Sequence, residues 1–136
     1  MKKRLLYLIL PIVTLVLEIL PYGAVLNFMR PSITEGASAG RFKELYSYFD
    51  LMPFGYGNFA PLITAVITCI VLILIVVYGL TGKTKWAVMA KNILYICTAF
   101  SLGPLVLGVS FFSVVGALIT ISLISELILI HFTIKK

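Results

Sequence analysis

Residues 59–80 form an apolar run without a single charged side chain. As a helix this run is about 33 Å long, enough to cross the roughly 30 Å hydrocarbon core of a bilayer. In hydrocarbon each backbone N–H and C=O must be satisfied inside the protein, which leaves helices and closed barrels as the spanning structures. Three further runs, at residues 5–26, 87–102 and 109–132, share this apolar character. The chain is 61% hydrophobic and only 12% charged. Soluble domains carry about twice that charged fraction. These features predict an all-α polytopic membrane protein: one integral membrane domain over residues 1–136, a four-transmembrane-helix bundle, with an amphipathic and aromatic outer loop at residues 27–58.

The charges say which way such a bundle faces. Lys2, Lys3, Arg4, Lys83, Lys85, Lys91, Lys135 and Lys136 fall at one end of the spans with no acid among them. At the other end Arg30, Arg41 and Lys43 are balanced by Glu35, Glu44 and Asp50. The positive-inside rule then predicts a multi-pass cell-membrane protein with cytoplasmic N- and C-termini. The net charge of +6 does not point to nucleic acid, because the bases sit in short blocks beside apolar runs rather than along a phosphate-tracking face. The basic start and first apolar run have the outline of a secretory signal, but the run is long, contains Glu18 and lacks a nearby small-x-small site. It reads as a retained first span, in which Pro21-Tyr22-Gly23 could also end the regular helix early and leave residues 24–28 as an irregular exit. Cys69 and Cys97 lie within apolar runs and read as small packing residues.

Residues 41–61, RFKELYSYFDLMPFGYGNFAP, stand apart from the hydrocarbon-soluble remainder. Phe42, Leu45, Tyr46 and Phe49 recur at i, i+3, i+4 and i+7, the spacing of one helical face. This predicts a short amphipathic helix over residues 42–49, lying in the membrane interface and capping the bundle. Pro53 and the glycines of Phe54-Gly55-Tyr56-Gly57 would then turn the chain. Phe42, Tyr46, Phe49, Asp50, Phe54 and Tyr56 are the candidate outer surface for a partner, with Asp50 also suited to accept backbone N–H groups in the turn.

Glu18 and Glu126 are the only acids inside the predicted spans. An intramembrane carboxyl is costly and marks a candidate site. Tyr7, Pro11, Thr14, Glu18 and Tyr22 follow helical steps of three or four, so they share one face that turns inward. Thr14, Thr64 and Thr68 lie at depths where their hydroxyls could serve Glu18. In the last span Ser113, Gly116, Ala117 and Thr120 form a small-residue strip suited to close packing, while Ser122, Ser125 and Glu126 lie on another side. His131 could pair with Glu126 or join the basic cap. The candidate intramembrane polar site is therefore Glu18, Thr14, Thr64, Thr68 and Glu126.

Catalytic patterns fail on inspection. Gly82-Lys83-Thr84 looks like the end of a phosphate-binding loop, but Val77 stands where that motif needs its first glycine. A single histidine builds no metal site, and neither a cofactor nor a catalytic residue is expected. A long first outer loop and four spans give the claudin and tetraspan outline, yet this loop has no Trp or Cys. Small multidrug transporters also carry a glutamate in their first span, in a different setting from Val16-Leu17-Glu18-Ile19-Leu20-Pro21. The Glu-x-x-Pro-Tyr-Gly-Ala run at residues 18–24, followed by the Phe-Gly-Tyr run before the second span, resembles small four-helix bacterial integral membrane proteins. That resemblance implies a fold and no activity. The expectation is a non-enzymatic protein that binds a membrane protein partner, a lipid or a second copy. The alternative is a small oligomeric transporter or channel using Glu18.

Overall fold

The structure, a computed structural model, describes residues 6–29, 40–51, 53 and 57–134. After a 3₁₀ turn at Leu6–Leu8 come helix α1 (Ile9–Ile19), strands β1 (Ala24–Met29) and β2 (Arg41–Tyr46), and helices α2 (Ala60–Thr81), α3 (Thr84–Ser101), α4 (Gly103–Leu107) and α5 (Val114–Ile134), with a 3₁₀ turn at Val109–Phe111 before α5. The protein is mostly helical. Three stretches are long and apolar enough to cross a membrane: Ala60–Thr81, Thr84–Leu107 and Val114–Ile134. Helix α1 packs on α2 and α5, and α3 packs on the same two, so the four close into a ring. Ala65, Val71, Leu94, Cys97, Ile119 and Leu123 are fully buried along its axis, while Ile73, Leu80 and Val106 face outward.

Local chemistry fixes the ends of these helices. Pro61 sits in the first turn of α2, where a missing N–H costs nothing. At its other end Gly82 takes φ 68° and its N–H bonds the Tyr78 carbonyl at 2.8 Å, a left-handed cap that favours glycine. Pro104 ends the regular run of α3 and starts α4. Ser113 caps α5 by accepting the Gly116 N–H at 2.8 Å.

The first apolar run departs from the expected span. Rather than continuing to residue 26, α1 stops at Ile19, because Pro21 drives Leu20 into an extended conformation (φ −62°, ψ 136°). Pro21 thus terminates the helix, and Pro11 falls in its first turn, so neither proline breaks its interior. The chain then runs as strand β1, whose Ala24, Val25 and Leu26 are buried.

The expected amphipathic helix over 42–49 is also corrected. Residues Arg41–Tyr46 form β2, antiparallel to β1 in the register Asn27↔Lys43 and Met29↔Arg41, and residues 47–50 form a turn. The expected outer loop contains a two-stranded sheet, so the chain is not all-α. A helical spacing that includes every second residue in part, Phe42 and Tyr46 among them, also fits a strand. The partner strand decides the matter, with Phe28 and Phe42 stacked across the pair at 5.4 Å between ring centres. A single bridge from Ala24 to Phe112 ties the sheet to the segment before α5.

Candidate functional site

Thr14, Glu18, Thr68, Ser122 and Glu126 are buried between the helices. Thr14 and Glu18 lie one turn apart on α1, and Ser122 and Glu126 one turn apart on α5. The two helices are joined by the Thr14 and Ser122 hydroxyls, 2.7 Å apart. Thr68 of α2 donates to Glu18 Oε1 at 2.8 Å and also lies 3.0 Å from the Thr64 carbonyl. One hydroxyl proton cannot fully serve both acceptors. The Cys97 thiol of α3, 3.6 Å from the Thr64 carbonyl, supplies a weak donor to the second. Glu18 Oε2 and both oxygens of Glu126 are buried with no hydrogen-bond partner.

Of the residues expected around Glu18, only Thr68 reaches its carboxyl. Thr14 turns to Ser122, and Thr64 donates back to the Ala60 carbonyl at 2.8 Å. His131 lies edge-on against Phe132 and does not meet Glu126. Ser122 and Cys97 are the members not foreseen as partners. The one sequence clue to Ser122 is its position a single turn before Glu126.

Glu18 also works through its backbone. Its carbonyl, freed where α1 ends, accepts the Ser47 hydroxyl at 2.9 Å and the Tyr48 N–H at 2.9 Å. The 47–50 turn is itself closed by the Ser47 N–H on Asp50 at 2.7 Å and the Phe49 N–H on the Ser47 hydroxyl at 3.1 Å. Tyr48 is 1% exposed, and burial pushes its phenol above the usual tyrosine range. Its ring covers Gly23, where a Cβ would stand 2.7 Å from Tyr48 Cδ1. The Gly23 carbonyl accepts the Ser113 hydroxyl at 2.6 Å. The run at residues 18–24 is therefore a joint holding α1, the sheet and the start of α5 together.

Two recesses lie beyond this joint, and another of about 440 Å³ lies between Asn58, Ala60, Phe100 and Gly103. A cavity of about 410 Å³ is lined by Asn27, Arg41, Lys43 and Ser110, with Phe28 and Phe111 beside them. A second, of about 380 Å³, shares Lys43 and Ser110 and is walled by Val25, Leu45, Val109 and Val114. The candidate outer surface divides around this groove. Phe42 and Phe49 are partly exposed, and Tyr46 donates to the Glu44 carboxylate at 2.6 Å, which holds its phenol above the usual value. Phe54 and Tyr56 lie outside the described residues. No group of three or more metal-ligating side chains occurs among the described residues. No protein-family model, curated protein or solved structure matches this chain.

Proposed function

We propose that this is a non-enzymatic, four-span integral membrane protein that binds a protein or lipid partner at its outer face, with both termini in the cytoplasm. The observation that carries the reading is the recessed, basic and aromatic groove beside the sheet, of the size and mixed lining that ligand sites have. The three long apolar helices, with aliphatic side chains turned outward, support the membrane setting. Glu18 then acts as a structural tie. A photoreactive residue at Leu45 should give a discrete adduct in intact membranes, whereas one at Ile73, on the outward surface of α2, should give only diffuse lipid labelling. Identical diffuse labelling at both positions would overturn the reading.

One observation favours a second reading. Three buried carboxyl oxygens, Glu18 Oε2 and the pair on Glu126, have no hydrogen-bond partner, as a site for a proton or small cation would present. A transporter or channel built on Glu18 would drive ion flux in liposomes containing the purified protein. On the preferred reading, flux equals that of protein-free vesicles. A flux that Glu18→Gln abolishes would establish the transporter instead.

A further inference from the structure

We propose that the two cavities beside the sheet form one site for an anionic lipid of the outer leaflet, its acidic head on Arg41 and Lys43 and its chain against Leu45, Val109 and Val114. The inference rests on the membrane reading and names the class of ligand for its outer groove. Successive side chains of a strand alternate between faces, so Arg41, Lys43 and Leu45 share one face of β2. On the same face of β1, the register sets Met29 opposite Arg41, Asn27 opposite Lys43, and Val25 opposite Leu45. The β2 face therefore grades from a charged end to an apolar end over about 13 Å, with Asn27 beside Lys43 and Val25 beside Leu45.

Ser110 stands beside the bases, while Val109 and Val114 line the apolar lobe. These two valines are 82% and 79% exposed, so the lobe opens onto the outward apolar surface of the bundle, where a hydrocarbon chain would lie. The head end carries two positive charges that no acid neutralises among the described residues. Glu44 projects from the other face of β2 and bonds Tyr46. A guanidinium and an ammonium beside a hydroxyl make a donor set for a phosphate or carboxylate. Charge at one end and hydrocarbon at the other select a molecule carrying both.

The test uses the purified full chain in neutral detergent, with lipid binding followed by native mass spectrometry. Phosphatidylglycerol should be retained, and phosphatidylcholine of the same chains should bind about ten-fold more weakly or less. The double variant Arg41→Gln/Lys43→Gln should lose that preference, while Lys83→Gln/Lys85→Gln, which removes equal charge at the other end, should keep it. Glycerol phosphate at the same concentration should not displace the lipid. Equal binding of both lipids, or an unchanged preference in the Arg41/Lys43 variant at an unchanged melting temperature, overturns the proposal. Full displacement by glycerol phosphate overturns it in favour of a soluble anion. Release of the chain from membranes by alkaline carbonate would refute the membrane reading itself, independently of the lipid result.

Discussion

Glu18 makes two attachments through different atoms: its carboxyl receives Thr68 of α2, and its carbonyl receives Ser47 and Tyr48 of the 47–50 turn. Glu18→Gln keeps both shape and hydrogen-bonding capacity, so it should leave the melting temperature in detergent nearly unchanged. Glu18→Leu keeps only the backbone attachment and removes one of the two acceptors of the Thr68 hydroxyl, which retains the Thr64 carbonyl, for a loss of about 0.5–1.5 kcal/mol. Equal effects of the two variants would refute the structural role. Gly23 gives a sharper steric test. An added Cβ would stand 2.7 Å from the buried Tyr48 ring, so Gly23→Ala should cost about 1–3 kcal/mol. Gly79 has nothing within 4 Å of its Cβ position, so Gly79→Ala should be neutral or stabilising. At this scale the sequence is partly legible. Spacing along α1 places Thr14 and Glu18 on one face, because helical periodicity is local. That Thr14 meets Ser122 rather than Glu18 depends on how α1 and α5 slide past each other, which no local pattern records.

Among the elements, the long helices were legible and the sheet was not, for one physical reason. Residues 60–81 have no alternative in hydrocarbon but to satisfy their own backbone. Residues 41–46 have one, since a strand is satisfied by a partner elsewhere in the chain. Their apolar spacing fits a helical face, yet Arg41, Lys43 and Leu45 also alternate with Phe42, Glu44 and Tyr46, and the Phe28–Phe42 stack selects the strand. A cysteine pair at Asn27 and Lys43, in a background with Cys69→Ala and Cys97→Ser, should therefore oxidise readily to a disulfide. These positions are direct partners in the register, at a separation a disulfide can bridge. A pair at Asn27 and Arg41, displaced along the strand, should form far less. Equal yields, read as intramolecular crosslink by mass spectrometry, would mean the strands are not held in this register.

For the molecule as a whole, the four-span reading turns on how a first crossing would be completed. Helix α1 is about 16 Å long, well short of a hydrocarbon core of about 30 Å. Its outward continuation is extended chain, which lipid does not tolerate but a protein interior does. Residues Ala24, Val25 and Leu26 are buried, the Gly23 carbonyl is taken by Ser113, and Ala24 bridges to Phe112. A helix that hands over to protected strand can thus carry the chain through, which makes the four-span reading compatible with three long helices. On the proposed reading the positive-inside rule sets the sidedness, with Lys83 and Lys85 at the turn between α2 and α3 inside and the sheet outside. In the same cysteine-free background, single cysteines at Gly40 and Thr84, both exposed, should react with an impermeant maleimide from opposite sides of intact cells: Gly40→Cys at once, Thr84→Cys only after permeabilisation. A cysteine at Ala24 should resist the reagent under both conditions and react only after denaturation, because it is covered by protein. Labelling of Gly40→Cys and Thr84→Cys from the same side would remove the first crossing's counterpart and with it the four-span arrangement. Ready labelling of Ala24→Cys would show instead that the strand is open to water and that α1 ends at the membrane surface.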